Sequence, residues 1–162
     1  MIMRAAEPSD AAAIAAIWNP YIRDTAITFT TEEKSTTGLA DLIRDRTNDG
    51  YPFLAADEGG ALSGFASFAP FRSGPGYRRT MEHTVMLAPA ACGRGVGRAL
   101  MAALEECARA SGHRSLIGAL SSANSGAIAF HAALGFAQVG SIPQAGWKFD
   151  RWWDLILMQK QV

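Results

Sequence analysis

Cys92-Gly93-Arg94-Gly95-Val96-Gly97-Arg98 is the stretch of this 162-residue chain on which its reading turns. It lies between an apolar segment ending near Ala88 and the residues Val96, Leu100, Leu104 and Cys107/Ala108. Their four-residue spacing predicts an amphipathic helix that closes at Ser111-Gly112. A glycine-rich turn lets successive backbone N–H groups point inward without Cβ clashes. The helix behind it adds its own unpaired N–H groups and the positive end of its dipole. Strand, glycine turn and helix together make a cradle for a diphosphate, and Arg94 and Arg98 place full charges beside it. The P-loop pattern G-x-x-x-x-G-K-[ST] is absent, with no lysine near these glycines. The dinucleotide pattern G-x-G-x-x-G fails at Arg98, and Ser115 and Leu116 stand where its acidic residue is expected. On this stretch alone, a glycine turn without a ligand stays open.

Working outward, Thr80 to Ala88 reads as the strand before the turn, ended by Pro89. Before it, Tyr51 to Ala56 and Leu62 to Phe71 form a hairpin about Asp57-Glu58-Gly59-Gly60, and Arg72 to Arg79 is a loop. Met1 to Arg4 is a short first strand. Pro8-Ser9-Asp10 starts a helix whose apolar face carries Ile14, Ile17, Trp18, Tyr21 and Ile22, with Ser9 or Asp10 expected to cap its first turn. A second helix covers Thr37 to Arg46 and stops at Asn48-Asp49-Gly50. Beyond the glycine turn come a strand at Ser115 to Leu120, a helix from the Asn124 cap to Leu134 with Gly135 as terminator, and strands at Phe136 to Gly140 and Trp152 to Met158. The order β-α-α-β-β-β-α-β-α-β-β describes an α/β fold, a mixed sheet with helices on both faces, in a single domain over residues 1–162.

Composition narrows the function. Fifteen Lys plus Arg balance fifteen Asp plus Glu, so no net positive charge is available for a nucleic-acid backbone, and any anion site must be local. The longest apolar run, Ala11 to Trp18, falls far short of the roughly 20 residues of a membrane span. No secretory signal is legible at the start, so a cytoplasmic location is expected. Cys92 and Cys107 are too few for a disulfide framework, and His83, His113 and His131 are too scattered for a zinc site, so no metal is expected. Trp147, Trp152 and Trp153 are expected to pack in the core or in a contact between two copies of the chain.

The pattern x-x-G-x-G before a helix, followed about 30 residues later by Asn124, an alanine-rich helix and Leu134-Gly135-Phe136, resembles the GCN5-related N-acetyltransferases (GNAT). Phe71-Arg72-Ser73, Gly76-Tyr77-Arg78, Thr80-Met81-Glu82-His83-Thr84-Val85 and Gly146-Trp147-Lys148, in that order, are similar to the phosphinothricin and methionine sulfoximine acetyltransferase branch. The resemblance implies a GNAT fold with a mostly antiparallel sheet. It also implies acetyl-CoA as co-substrate, a small amino acid analogue as acceptor, and a homodimer. Acetylation of a protein N-terminus or a polyamine, or a non-catalytic acyl-CoA sensor, are the alternatives. The first position of the family loop is usually Gln or Arg, and here it is Cys92.

Acetyl transfer to an amine needs a donor held in line, a neutral amine, an N–H for the developing oxyanion and a proton for the leaving thiolate. Gly93, Arg94, Gly95, Val96, Gly97 and Arg98 would hold the diphosphate. Val85, Met86 and Leu87 would pair with the amide-rich pantetheine arm as an added strand does. The resemblance assigns Glu82 to the amine proton. Strand alternation turns Glu82 and Thr84 to one side and Met81, His83 and Val85 to the other. His131, at the position where many relatives carry tyrosine, reads either as a packing histidine or as the proton donor to the thiolate, and Asn124 is a helix cap that, as the resemblance implies, also meets the cofactor. Arg72 with Pro75, Gly76 and Tyr77 would bound the substrate, a guanidinium suiting a carboxylate.

Overall fold

A computed structural model describes residues 1–162. Seven strands form one sheet in the order β1-β2-β3-β4-β5-β7-β6. They are β1 (Ile2–Ala5), β2 (Phe53–Asp57), β3 (Leu62–Pro70), β4 (Thr80–Leu87), β5 (Ser115–Ser121), β6 (Ala137–Lys148) and β7 (Arg151–Gln161). The helices are α1 (Ala11–Asp24), α2 (Thr36–Asn48), α3 (Val96–Ala110) and α4 (Ser125–Ala133). All strand neighbours are antiparallel except β4 and β5.

That parallel pair positions the site. It matches Thr80, Met81 and Glu82 with Ser115, Leu116 and Ile117 and then stops, although β4 runs on to Leu87 and β5 to Ser121. The two strands splay apart, and a notch opens at their carboxyl ends, the side of an α/β sheet where ligands bind.

Alternation along the strands separates two cores. Phe53, Ala55 and Phe65 pack with Ile14, Ile17, Leu39 and Ile43 of α1 and α2 on one face. Ala56, Ala66, Phe68 and Met81 pack with Leu100, Met101, Leu104 and Ala108 of α3 on the other, with Ile128 and Phe130 of α4 against them. Helix α3 has the spacing its sequence implied: Val96, Leu100, Leu104 and Ala108 are all buried. Truncating one such leucine to alanine costs about 2–5 kcal/mol. The Ser35 hydroxyl caps α2 by accepting from Gly38 N–H at 3.0 Å, and Asn124 Oδ1 caps α4 by accepting from Ala127 N–H at 3.0 Å.

Three expectations are corrected. Pro8–Asp10 is a short 3-10 turn, and neither Ser9 nor Asp10 caps α1. Asp10 instead accepts from Glu7 N–H at 2.8 Å and pairs with Arg4 at 2.7 Å. Strand β6 does not end at Gly140 but continues to Lys148. It absorbs Pro143 and the positive φ of Gln144 through irregular pairing with β7, which an edge strand tolerates. Trp147 and Trp152 are about half exposed and meet edge to face at 5.1 Å, so they are not core residues.

Candidate active site

Strand β4 presents different groups to its two neighbours. Ala88 N–H donates to Ser63 O and Phe71 N–H to Thr80 O, so the even-numbered residues of β4 spend their backbone groups on β3. The odd-numbered ones face the notch. Val85 and Leu87 therefore carry the open edge, whereas Met86 is paired with Phe65, a narrower set than the three residues expected. The carbonyl of Leu87 already accepts from the Tyr21 hydroxyl at 2.8 Å. Val85 N–H and C=O and Leu87 N–H are left without a cross-strand partner.

The glycine turn sits at the end of this edge. Gly93 and Gly95 have φ of +76° and +83°, which L side chains adopt at a cost, and open space lies where a Cβ would stand. The first helical bond of α3 runs from Ala99 N–H to Gly95 O at 3.0 Å. No acceptor in the protein meets the N–H groups of Gly93, Gly95, Val96, Gly97 or Arg98. Five donors converging at a helix N-terminus fit an anionic diphosphate. Arg98 is exposed and unpaired. Arg94 pairs with Glu58 on the β2–β3 turn, with contacts of 3.0 and 3.3 Å. Asn124 lies at the start of α4, and its side-chain amide NH2 has no partner.

On the opposite face Glu82 and Thr84 line a cavity of about 190 Å³ between β3, β4 and helices α1 and α2, with Trp18, Leu42, Phe53 and Phe65 as its apolar wall. The Glu82 carboxylate makes no hydrogen bond or ion pair with any other residue. Burial pushes it above the usual carboxylate range, and the Arg72 charge pulls it partly back. Arg72 stacks on Phe71 at 4.2 Å and donates to Phe71 O at 2.9 Å. Pro75, Gly76 and Tyr77 form an exposed 3-10 turn that does not line the cavity, with Tyr77 edge-on to Phe71. Arg46, which sequence reasoning did not single out, also lines the cavity. It lies in the last turn of α2, where only tertiary packing could reveal its direction.

His131 is fully buried, and both ring nitrogens are engaged. Nδ1 lies 2.7 Å from Ala127 O, so it donates there, and Nε2 lies 2.8 Å from Nε2 of His83. With both rings neutral, His83 donates and His131 accepts, an assignment that follows from the acceptor-only carbonyl. Burial lowers both histidines from their ordinary range. In this arrangement no ring proton of His131 faces the notch.

Residues 3–157 match the acetyltransferase (GNAT) domain family. The chain belongs to the GNAT acetyltransferases. The L-methionine sulfoximine/L-methionine sulfone acetyltransferase of Salmonella typhimurium is 38% identical over 162 residues, covering 100% of this chain and 95% of that protein. The crystal structure of a ribosomal-protein-alanine N-acetyltransferase from Brucella melitensis superposes with a TM-score of 0.96 at 35% identity, over 100% of both chains. A phosphinothricin acetyltransferase from Sinorhizobium meliloti, solved in complex with acetyl-CoA, gives 0.94 at 33% identity, over 99% of this chain and 88% of that one. The α/β GNAT fold expected from the sequence is the one observed, and this member of the family is an acetyltransferase.

Proposed function

We propose that this acetyltransferase moves the acetyl group of acetyl-CoA to the α-amine of a small amino acid analogue such as methionine sulfoximine, methionine sulfone or phosphinothricin. The observation that carries the reading is the placement of a lone, half-buried carboxylate, Glu82, on the wall of a small cavity beside the β4–β5 notch. Acetyl-CoA supplies the activated acyl group. The free N–H groups from Gly93 to Arg98 and the open edge at Val85 and Leu87 suit its diphosphate and its amide-bearing arm. Asn124 adds an amide at the start of α4. One notch-facing backbone N–H of β4 is the donor to the developing oxyanion, a contribution typically about 3 kcal/mol.

Glu82 takes the proton that the ammonium must lose before its lone pair can attack. A carboxylate held above its usual range by burial is suited to that work at neutral pH. Arg72, whose charge pulls the Glu82 carboxylate down, is the residue for the substrate carboxylate, with Pro75, Gly76 and Tyr77 bounding the entrance. Donation to the thiolate by His131 requires an additional proton on the His83–His131 pair, since the neutral pair has none to spare.

Acetylation of a protein N-terminus is the second reading, supported by the Brucella melitensis neighbour. Acetyl-CoA-dependent thiol release, measured across amino acid analogues, an alanine-initiated peptide and a polyamine, separates the readings. The first predicts turnover with the amino acid analogues. Release only with the peptide overturns it, and heat of acetyl-CoA binding without any release indicates a sensor.

The reading includes one catalytic domain over residues 1–162, a cytoplasmic location and a homodimer. Val139, Ile142, Trp147, Phe149 and Trp152 are exposed along the edge hairpin β6–β7, an apolar surface suited to a second copy. No helix is long and apolar enough to cross a membrane. Sedimentation should give twice the mass of the 17.3 kDa chain, falling to one copy in a Trp147→Glu variant.

A further inference from the structure

Only two charged side chains line the Glu82 cavity: Glu82 itself and Arg46. Arg46 reaches in from the last turn of α2, and its Nη1 donates to the carbonyl of Phe68. That residue precedes Ala69, the cross-strand partner of Glu82. The remaining N–H groups of the guanidinium have no acceptor. No carboxylate lies within ion-pair distance. Asp49, three residues on, and Tyr51 are the titratable groups whose fields support its charge. Desolvation acts against that charge, so the fold retains on the wall of a cavity a half-buried cation with one carbonyl partner and no counter-charge. Such a group is stabilised when a ligand brings an acceptor to it.

The two arginines near the cavity differ in their relation to Glu82. Arg72 follows β3 outside the cavity lining, and its charge pulls the Glu82 carboxylate down, whereas Arg46 comes from α2 and lines the cavity itself. In an α-amino acid the carboxylate is two bonds from the amine, so with the amine at Glu82 a carboxylate held by Arg72 stays at the rim and the side chain enters the cavity that Arg46 lines. The side chain then runs along the apolar wall of Leu42, Phe53 and Phe65 toward Arg46. We propose that Arg46 is a specificity-determining residue of the substrate site, holding the oxygen at the far end of the substrate side chain: a sulfoximine, sulfone or phosphinate oxygen. The inference rests on the amino acid reading above and deepens it. It explains why a site that takes these compounds would discriminate against methionine, which has similar carbon length and no such oxygen.

The test compares kcat and KM for L-methionine sulfone and L-methionine in the wild type and in Arg46→Met and Arg46→Lys. A hydrogen bond to a charged group is worth about 10–100-fold. Arg46→Met should therefore raise the KM for the sulfone by about that factor, leave its kcat nearly unchanged and leave methionine within about threefold. Arg46→Lys should recover part of the loss. Parallel losses for both substrates would overturn the proposal. So would a wild-type enzyme that treats the two alike, a comparison that stands even if Arg46→Met fails to fold. Absence of thiol release with every amino acid overturns the underlying reading instead. Replacing the α-carboxylate by an amide tests which oxygen Arg46 holds. The amide should be acetylated poorly by the wild type and still show the preference for the sulfone; loss of that preference assigns the carboxylate to Arg46 and contradicts the proposal.

Discussion

Glu82 and His83 are neighbours on one strand, both titratable, the first half-buried and the second buried, and the two faces of β4 use them differently. Glu82 meets a cavity with room for a ligand and has no hydrogen-bond partner. His83 meets a packed core, where His131, Phe136 and Gly118 close around it. Burial raises the carboxylate and lowers the imidazole, the same physical cause with opposite sign. Access separates them: a desolvated group becomes a working base only when a substrate can reach it.

The largest expected effect tests the cavity side. Glu82→Gln keeps shape and removes the base, and turnover at pH 7 should fall by about 10²–10⁴-fold, measured as thiol release at saturating acetyl-CoA. A loss below about threefold would break the comparison. On the packed side, a Cβ at Gly118 would stand 3.2 Å from His83 and 3.4 Å from His131. Gly118→Ala should destabilise the fold by about 1–3 kcal/mol in urea unfolding. Unaltered stability would mean the histidine pair is loosely held. His131→Gln should cost about tenfold in kcat, a smaller loss than at Glu82, because a thiol of ordinary pKa near 8.5 departs with little protonic help. A loss equal to that of Glu82→Gln would make the pair a full partner in the chemistry.

The smallest effect has opposite signs on the two faces. The folded value of Glu82 is raised above its ordinary 4.5, so the stability it contributes is complete below that value and is lost as pH rises through the folded one. Glu82→Gln should therefore gain Tm relative to the wild type at neutral pH. His83 is lowered from 6.5 to about 3, so its contribution is present above 6.5 and is lost as pH falls across that window. His83→Phe should narrow the drop in Tm between pH 7 and pH 4. Parallel curves for wild type and both variants would contradict the assignment of burial as the cause.

Local signals carried much of this molecule. The glycine turn, the four-residue repeat of α3 and the alternation along β4 are visible in consecutive residues, and each placed its element and its facing side correctly. The contacts that complete the site join distant segments. Arg46 comes within hydrogen-bonding distance of Phe68 only when α2 packs on the sheet. His83 and His131 are 48 residues apart. Arg94 pairs with Glu58, 36 residues earlier in the chain. The length of β6 was hidden for another reason. Gly140, Pro143 and Gly146 carry the marks of a loop, yet an edge strand needs only one paired side and accommodates them.

The pH dependence of kcat/KM for L-methionine sulfone, measured for the wild type and Glu82→Gln, bears most directly on the central claim. The wild type should show an acidic limb set by a group above the usual carboxylate range, and Glu82→Gln should lose that limb together with most of the rate. A variant that keeps both the limb and the rate would show that another group takes the amine proton.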